Sequence, residues 1–152
     1  MKLPSEREIN PHPGCLDGEH AAKIFLGKTL EEAEGLFEDN GLLRQENLMW
    51  MGPIGFVFYF PAALRYLKSP MSAGDSDFAS SMTGLLEWRV LSEHEDYDEI
   101  RLARAEMIDF CNHLMEHYDY YDIDLRIYGD LRPRLQKLLG KLQGEQAGAQ
   151  NP

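Results

Sequence analysis

Of the residues that could do chemistry, His113-Leu-Met-Glu116-His117 has the most recognisable spacing. Two histidines four apart share a helical face and can hold one metal ion, as in the HxxEH pattern of inverted zinc peptidases. The surrounding helix has its apolar arc along Ile100, Ala103, Met107, Cys111, Leu114 and Tyr118. At about 100° per residue, His113 falls roughly 140° from the centre of that arc, and Glu116 further still. Both are expected to face solvent, and no patterned third ligand follows. His113 and His117 are therefore read as solvated residues, and no metal site is expected.

Carboxylates lie two or three apart in Gly74–Asp77 and again in Asp119–Asp124. Neither segment has the twelve-residue frame with a central glycine and terminal glutamate that a calcium loop needs. The first reads instead as a helix cap, from Ser76 or Asp77. No GxSxG, P-loop, GxGxxG or nucleophile–histidine–acid arrangement occurs. Cys15 and Cys111 form no CxxC and suggest neither zinc nor a disulfide framework. The chain reads as non-enzymatic, and nothing in it calls for a cofactor.

Two acidic runs with tyrosines are the leading candidates for contact with a partner: Glu95, Asp96, Tyr97 and Asp98, and then Asp119, Tyr120, Tyr121 and Asp122. Tyrosine supplies contact area at low entropic cost, and the acids select a basic protein. An alternative places a ligand pocket beneath Trp50 and Met51, with Arg132 and Arg134 binding an anionic small molecule, in a small-molecule-binding or metal-dependent enzyme.

Charge favours the protein partner. The net charge is −11. Residues 1–124 hold 24 acids against 10 bases, whereas residues 125–152 hold 2 acids against 5 bases. Such a field repels nucleic acid and attracts basic proteins. The amino terminus has no apolar signal region. The apolar run Leu48–Leu67 is interrupted by Gly52, Pro53, Gly55, Pro61 and Arg65, so a membrane helix is not expected. The expectation is a cytoplasmic chain of one domain, since 152 residues can bury a core without staples.

The elements that must position these groups are helical. Residues 1–18 read as an irregular arm, 19–143 as a helical domain and 144–152 as a flexible tail. A short helix through His20–Leu26 is expected after the arm. Thr29 with Glu32 forms a capping box ahead of Leu30, Ala33, Leu36 and Phe37. Asp39-Asn40-Gly41 then stops that helix in a left-handed turn. Ile54–Phe60 has the composition of a buried strand but no partner, and two short buried helices meeting at Pro61 are preferred. Further helices carry Phe78, Met82, Leu85, Leu86 and Val90, the arc from Ile100 to Tyr118, and Leu131, Leu135, Leu138, Leu139 and Leu142. Glu93–Glu99 is an acidic connector, and Asp130 caps the last helix. Trp50 is expected to be mostly buried, and the Ile100–Tyr118 helix, roughly 28 Å long, should hold the two acidic loops apart. The sum is an all-α domain of five to seven helices.

Four stretches, Phe25–Leu43, Glu46–Leu67, Gly74–Phe78 and Ile127–Leu135, with LMWMGP and IYGDLRPR as their most distinctive words, resemble a family of small bacterial proteins without an assigned activity. The resemblance covers about residues 24–140 and implies a bacterial cytoplasmic protein of one domain, with no catalytic residues to carry over. A looser similarity, of size and charge alone, is to small acidic helical immunity proteins that neutralise toxins.

Overall fold

Local signals in this chain repeatedly start helices, and the result is all-α. The computed structural model describes residues 2–92 and 94–150, the side chains of 145–150 excepted. Among them no strand occurs. The helices are α1 (Glu6–Ile9), α2 (Leu16–Phe25), α3 (Leu30–Asp39), α4 (Gly41–Met49), α5 (Pro53–Lys68), α6 (Ser76–Leu86), α7 (Tyr97–Ile100), α8 (Arg104–Glu116), α9 (Leu125–Tyr128) and α10 (Arg132–Gln150). Three of these, α1, α7 and α9, are single turns of four residues, which is why the number exceeds the five to seven expected.

Helix α5 is the axis of the molecule, packed by α1, α3, α4, α7 and α8. Pro53 opens it at a position where a missing N–H costs nothing. Pro61 lies in its interior, yet the helix runs through, so the two short helices expected here are one. An interior proline costs a helix about 3 kcal/mol. Fully burying one large apolar side chain contributes about 1.5–3 kcal/mol. Phe56, Tyr59 and Phe60 before Pro61, and Ala62, Ala63 and Leu67 after it, are all fully buried, so packing outweighs the proline. The rings interlock with neighbouring helices: Tyr59 against Phe25 at 4.9 Å, Phe60 against Phe110 at 5.7 Å, and Tyr66 against Phe78 at 4.8 Å.

Caps explain the boundaries. The Thr29–Glu32 capping box opens α3 as expected, and Ala33 and Phe37 are buried. Asn40 has φ −158° and is not left-handed; it accepts the Leu43 N–H at 3.1 Å and so starts α4, a helix the sequence reading missed. Asp75, rather than Ser76 or Asp77, caps α6 by accepting from Phe78 N–H at 3.2 Å. Asp130 sits one residue before Leu131 and accepts the Arg132 N–H at 3.0 Å. It therefore caps the last helix from one position further out than expected, with Pro133 in the first turn.

Helices occur within both the expected arm and the expected tail. Ser5 and Glu8 form a capping box on α1, Ile9 is fully buried, and its carbonyl accepts the Gly52 N–H at 2.8 Å. Helix α2 begins at Leu16, earlier than His20, and α10 continues to Gln150 through most of the expected tail; Asn151 and Pro152 lie outside the described residues. The single helix expected from Ile100 to Tyr118 is also divided. Single-turn α7 and a 3-10 turn at Arg101–Ala103 precede α8, and a 3-10 turn at Tyr118–Tyr121 follows it. At 13 residues, α8 is roughly 20 Å long, not 28 Å.

Candidate functional site

Two adjoining concavities lie along α5 and share Pro53 and Glu99. The first is a groove of about 450 Å³ with an apolar floor of Leu30, Pro53, Ile54, Val57, Phe58, Pro61 and Leu102, and with Glu99 and Glu106 on its edge. Ile54 is 52 % exposed and Leu102 77 %. The second is a cleft of about 490 Å³ built from four separate segments: Pro11 and His12, Met49–Pro53, Trp88 and Arg89, and His94–Asp96 with Glu99.

Arg89 organises the cleft. Helix α6 continues into a π-helical turn at Glu87–Leu91, the kind of irregularity that often accompanies functional sites. On that turn Arg89 is buried, 2 % exposed, beneath the cleft floor. Its Nη2 donates to the carbonyls of Met49 at 2.7 Å and Met51 at 2.6 Å, and its Nη1 donates to Asp96 Oδ2 at 2.8 Å. The guanidinium lies 5.0 Å from the Phe56 ring centre and 5.2 Å from that of Trp88. Burial pulls the guanidinium's pKa below its ordinary value, and the Asp96 carboxylate opposes that shift. The other oxygen of Asp96 meets His94 Nδ1 at 2.9 Å, and the His94 ring stands edge-on to Trp88 at 4.7 Å. Arg89 thus pins the turn after α4, the π-turn and the acidic connector to one another.

Trp50 is the C-cap of α4, where the chain leaves the helix, and it is 43 % exposed. The expected burial of Trp50 is therefore overturned, because the turn carries its ring out over the cleft while Met51, 2 % exposed, goes inward. The two indole rings of Trp50 and Trp88 face the same space, 6.3 Å apart and tilted by 54°.

The remaining expected site residues scatter. Glu95 is on the cleft rim and exposed, whereas Asp96 is tied up by Arg89 and His94. Tyr97 is partly buried against the core, with Lys141 Nζ 5.0 Å from its ring centre, and exposed Asp98 faces Arg101 at 3.8 Å. Glu93 lies outside the described residues. Tyr121 is fully buried and donates to the Leu67 carbonyl at 2.8 Å, so it is a core residue rather than a contact residue. Tyr120 donates to the Pro70 carbonyl at 3.2 Å, Asp119 is exposed, and Asp122 holds a left-handed turn at φ 51°. Asp119 and Tyr120 line a recess apart from the cleft.

Arg132 and Arg134 do not reach the cleft under Trp50. Arg132 is paired with Asp130 at 2.9 Å and lies over the Tyr118 ring at 4.8 Å, and Arg134 is paired with Glu87 at 2.5 Å. Neither pairs with the Asp119–Asp124 loop. The rings of His113 and His117 are 4.4 Å apart, and no group of three metal-ligating side chains is found among the described residues. His113 is half-buried rather than solvated, and burial, with His117 beside it, holds its pKa below the ordinary value.

Sequence reasoning missed Trp88 and Arg89. The signal was present: Arg89 falls four residues after Leu85 and three after Leu86, a charge on the apolar face of a helix. The whole chain was also compared with known proteins. It matches no family model. No curated protein and no solved structure matches it either.

Proposed function

We propose that this chain is a non-enzymatic binding module for a basic, amphipathic segment of another protein, and that the segment lies along α5. One observation carries the reading: a continuous surface with an apolar floor, an aromatic end and a carboxylate rim. The floor is Ile54, Val57, Phe58 and Leu102; the end is Trp50 and Trp88; the rim is Glu95, Glu99 and Glu106. Exposed apolar surface bordered by charge is a usual mark of a protein contact site. A helix seated in such a groove anchors by residues at i, i+3, i+4 and i+7. The net charge of −11 would steer a basic segment towards the groove and raise its association rate. Blocking a basic toxin or effector, as a bacterial immunity protein does, is the biological form of this reading. It rests on the acidity of the chain and on the lack of catalytic motifs in its sequence. The enzyme alternative has a cleft at Trp50 and Met51, but the arginines it calls on are paired elsewhere.

The test is a synthetic helical peptide with leucines at i, i+3, i+4 and i+7 and arginines between them, titrated by calorimetry. The double variant Ile54→Asp/Leu102→Asp destroys the apolar floor while adding negative charge. Groove binding predicts a loss of affinity of about tenfold or more, since two apolar anchors each contribute more than 1 kcal/mol. Unchanged or tighter binding would mean diffuse charge attraction and would overturn the reading. So would a stable dimer in sedimentation that the same double variant dissociates, because the groove's occupant would then be a second copy.

A further inference from the structure

We infer that the cleft between Trp50 and Trp88 is a cation site, which takes the guanidinium or ammonium head of one basic side chain of the bound segment. The inference rests on the proposed function for the source of that cation, and on the cleft alone for its chemistry.

The one arginine of the cleft is largely spent. Arg89 gives Nη1 to a carboxylate and Nη2 to two carbonyls; its Nε has no hydrogen-bond partner among the described residues but is buried, and the residue is 2 % exposed. No other lysine or arginine lines the cleft. Glu95 and Glu99, by contrast, are exposed and take part in no ion pair among the described residues. An anion entering here meets two unpaired carboxylates and a guanidinium whose two Nη groups are taken and whose Nε is buried. A cation meets those carboxylates and two indole faces.

The geometry of the rings suits a planar cation. Trp50 and Trp88 are 6.3 Å apart at 54° and so form an open V rather than a closed stack. Indole is the best aromatic partner for a cation, with useful attraction within about 6 Å of the ring centre. Arginine adds flat stacking on the ring and a rigid fork of donors for carboxylates. Trp88 already holds one guanidinium, that of Arg89, at 5.2 Å. Trp50 has the freer face, being 43 % exposed and without a cation over its ring among the described residues. The cleft joins the apolar groove at Pro53 and Glu99, so a segment anchored in the groove can extend one basic residue into it.

Calorimetric titration with N-acetyl-arginine amide, and with its neutral near-isostere N-acetyl-citrulline amide, tests the cleft directly. Saturable binding of the arginine derivative is expected. Citrulline, the Trp50→Ala variant and the Glu95→Gln/Glu99→Gln variant should each weaken binding about tenfold. Equal binding of the two compounds, full binding by the carboxylate variant, or no saturable binding of the arginine derivative would each overturn the cation site. The amphipathic peptide separates this inference from the reading beneath it. A peptide that needs the groove but is indifferent to citrulline at every arginine overturns the cation site and leaves the groove standing. Saturable arginine binding without peptide binding does the reverse.

Discussion

Arg89 is a charge placed where the pattern of its helix calls for an apolar side chain, and its burial is tolerable only because three oxygens receive it. Truncating one partner of such a set leaves the others desolvated. Arg89→Leu should destabilise the fold by about 3–5 kcal/mol, the usual effect of breaking a buried ion pair from one side. Urea denaturation reads this, and a loss below about 1 kcal/mol would mean water reaches the orphaned Asp96 and the two carbonyls. Trp50 is the opposite case. Its ring is half exposed and touches Trp88, so Trp50→Ala should cost only about 0.5–1.5 kcal/mol, the scale of one aromatic contact. A loss of 3–5 kcal/mol, as for a core aromatic, would show that the ring is buried in solution.

At the scale of elements, the helices were legible because their signals are local. The Thr29–Glu32 box and the faces of Phe78–Val90 and Leu131–Leu142 fall within one or a few turns, and each is found where its pattern puts it. Some errors were local, as where Asn40 caps a new helix instead of taking a left-handed turn, and one came where tertiary packing overrode a local rule. Pro61 should end a helix, but the aromatic residues on both sides of it are buried in one core. The cleft was illegible for a further reason: residues near 11, near 50 and from 88 to 99 are brought together only by the fold, and only Trp50, Met51 and the acidic connector drew attention by composition. A close backbone approach joins the first segment of the cleft to the second. A Cβ on Gly52 would sit 2.7 Å from Pro11 Cδ and 3.1 Å from the Glu8 carbonyl oxygen. Gly52→Ala should therefore push α1 off α5 and cost about 1–3 kcal/mol, as overpacking does. Hydrogen exchange at the Gly52 amide, which donates to Ile9, is the sensitive readout. Unchanged protection there would mean the amino-terminal segment is not docked as described.

The whole molecule carries −11, with a pI near 4.8, so acidification first relieves self-repulsion. Groups whose folded pKa is lowered act in the other direction: the capping carboxylates Glu8, Glu32 and Asp130, and His113. The pKa of His113 is held below its ordinary 6.5 by burial first, then by His117 and Lys68, while Asp109 and Glu116 oppose the shift. The folded state thus binds this proton less readily than the unfolded chain. The stability His113 contributes is present above pH 6.5 and is lost as pH falls through the lower folded value. Against a His113→Gln variant, the parent should lose relative stability on acidification below about pH 6.5. Parallel melting curves across that range would remove the effect. No helix among the described residues is long and apolar enough to cross a membrane.

The chain has two tryptophans, and both belong to the cleft, 6.3 Å apart. Its intrinsic fluorescence is consequently a local instrument. Emission and quenching report the opening of one corner of the protein, and the close pair of indoles makes excited-state coupling between them part of the signal. The helical signal in the far ultraviolet, by contrast, sums over α1–α10. A denaturation followed at both wavelengths therefore separates fraying of the cleft from loss of the fold, and coincident transitions would establish that the Arg89 tether fails only when everything else does.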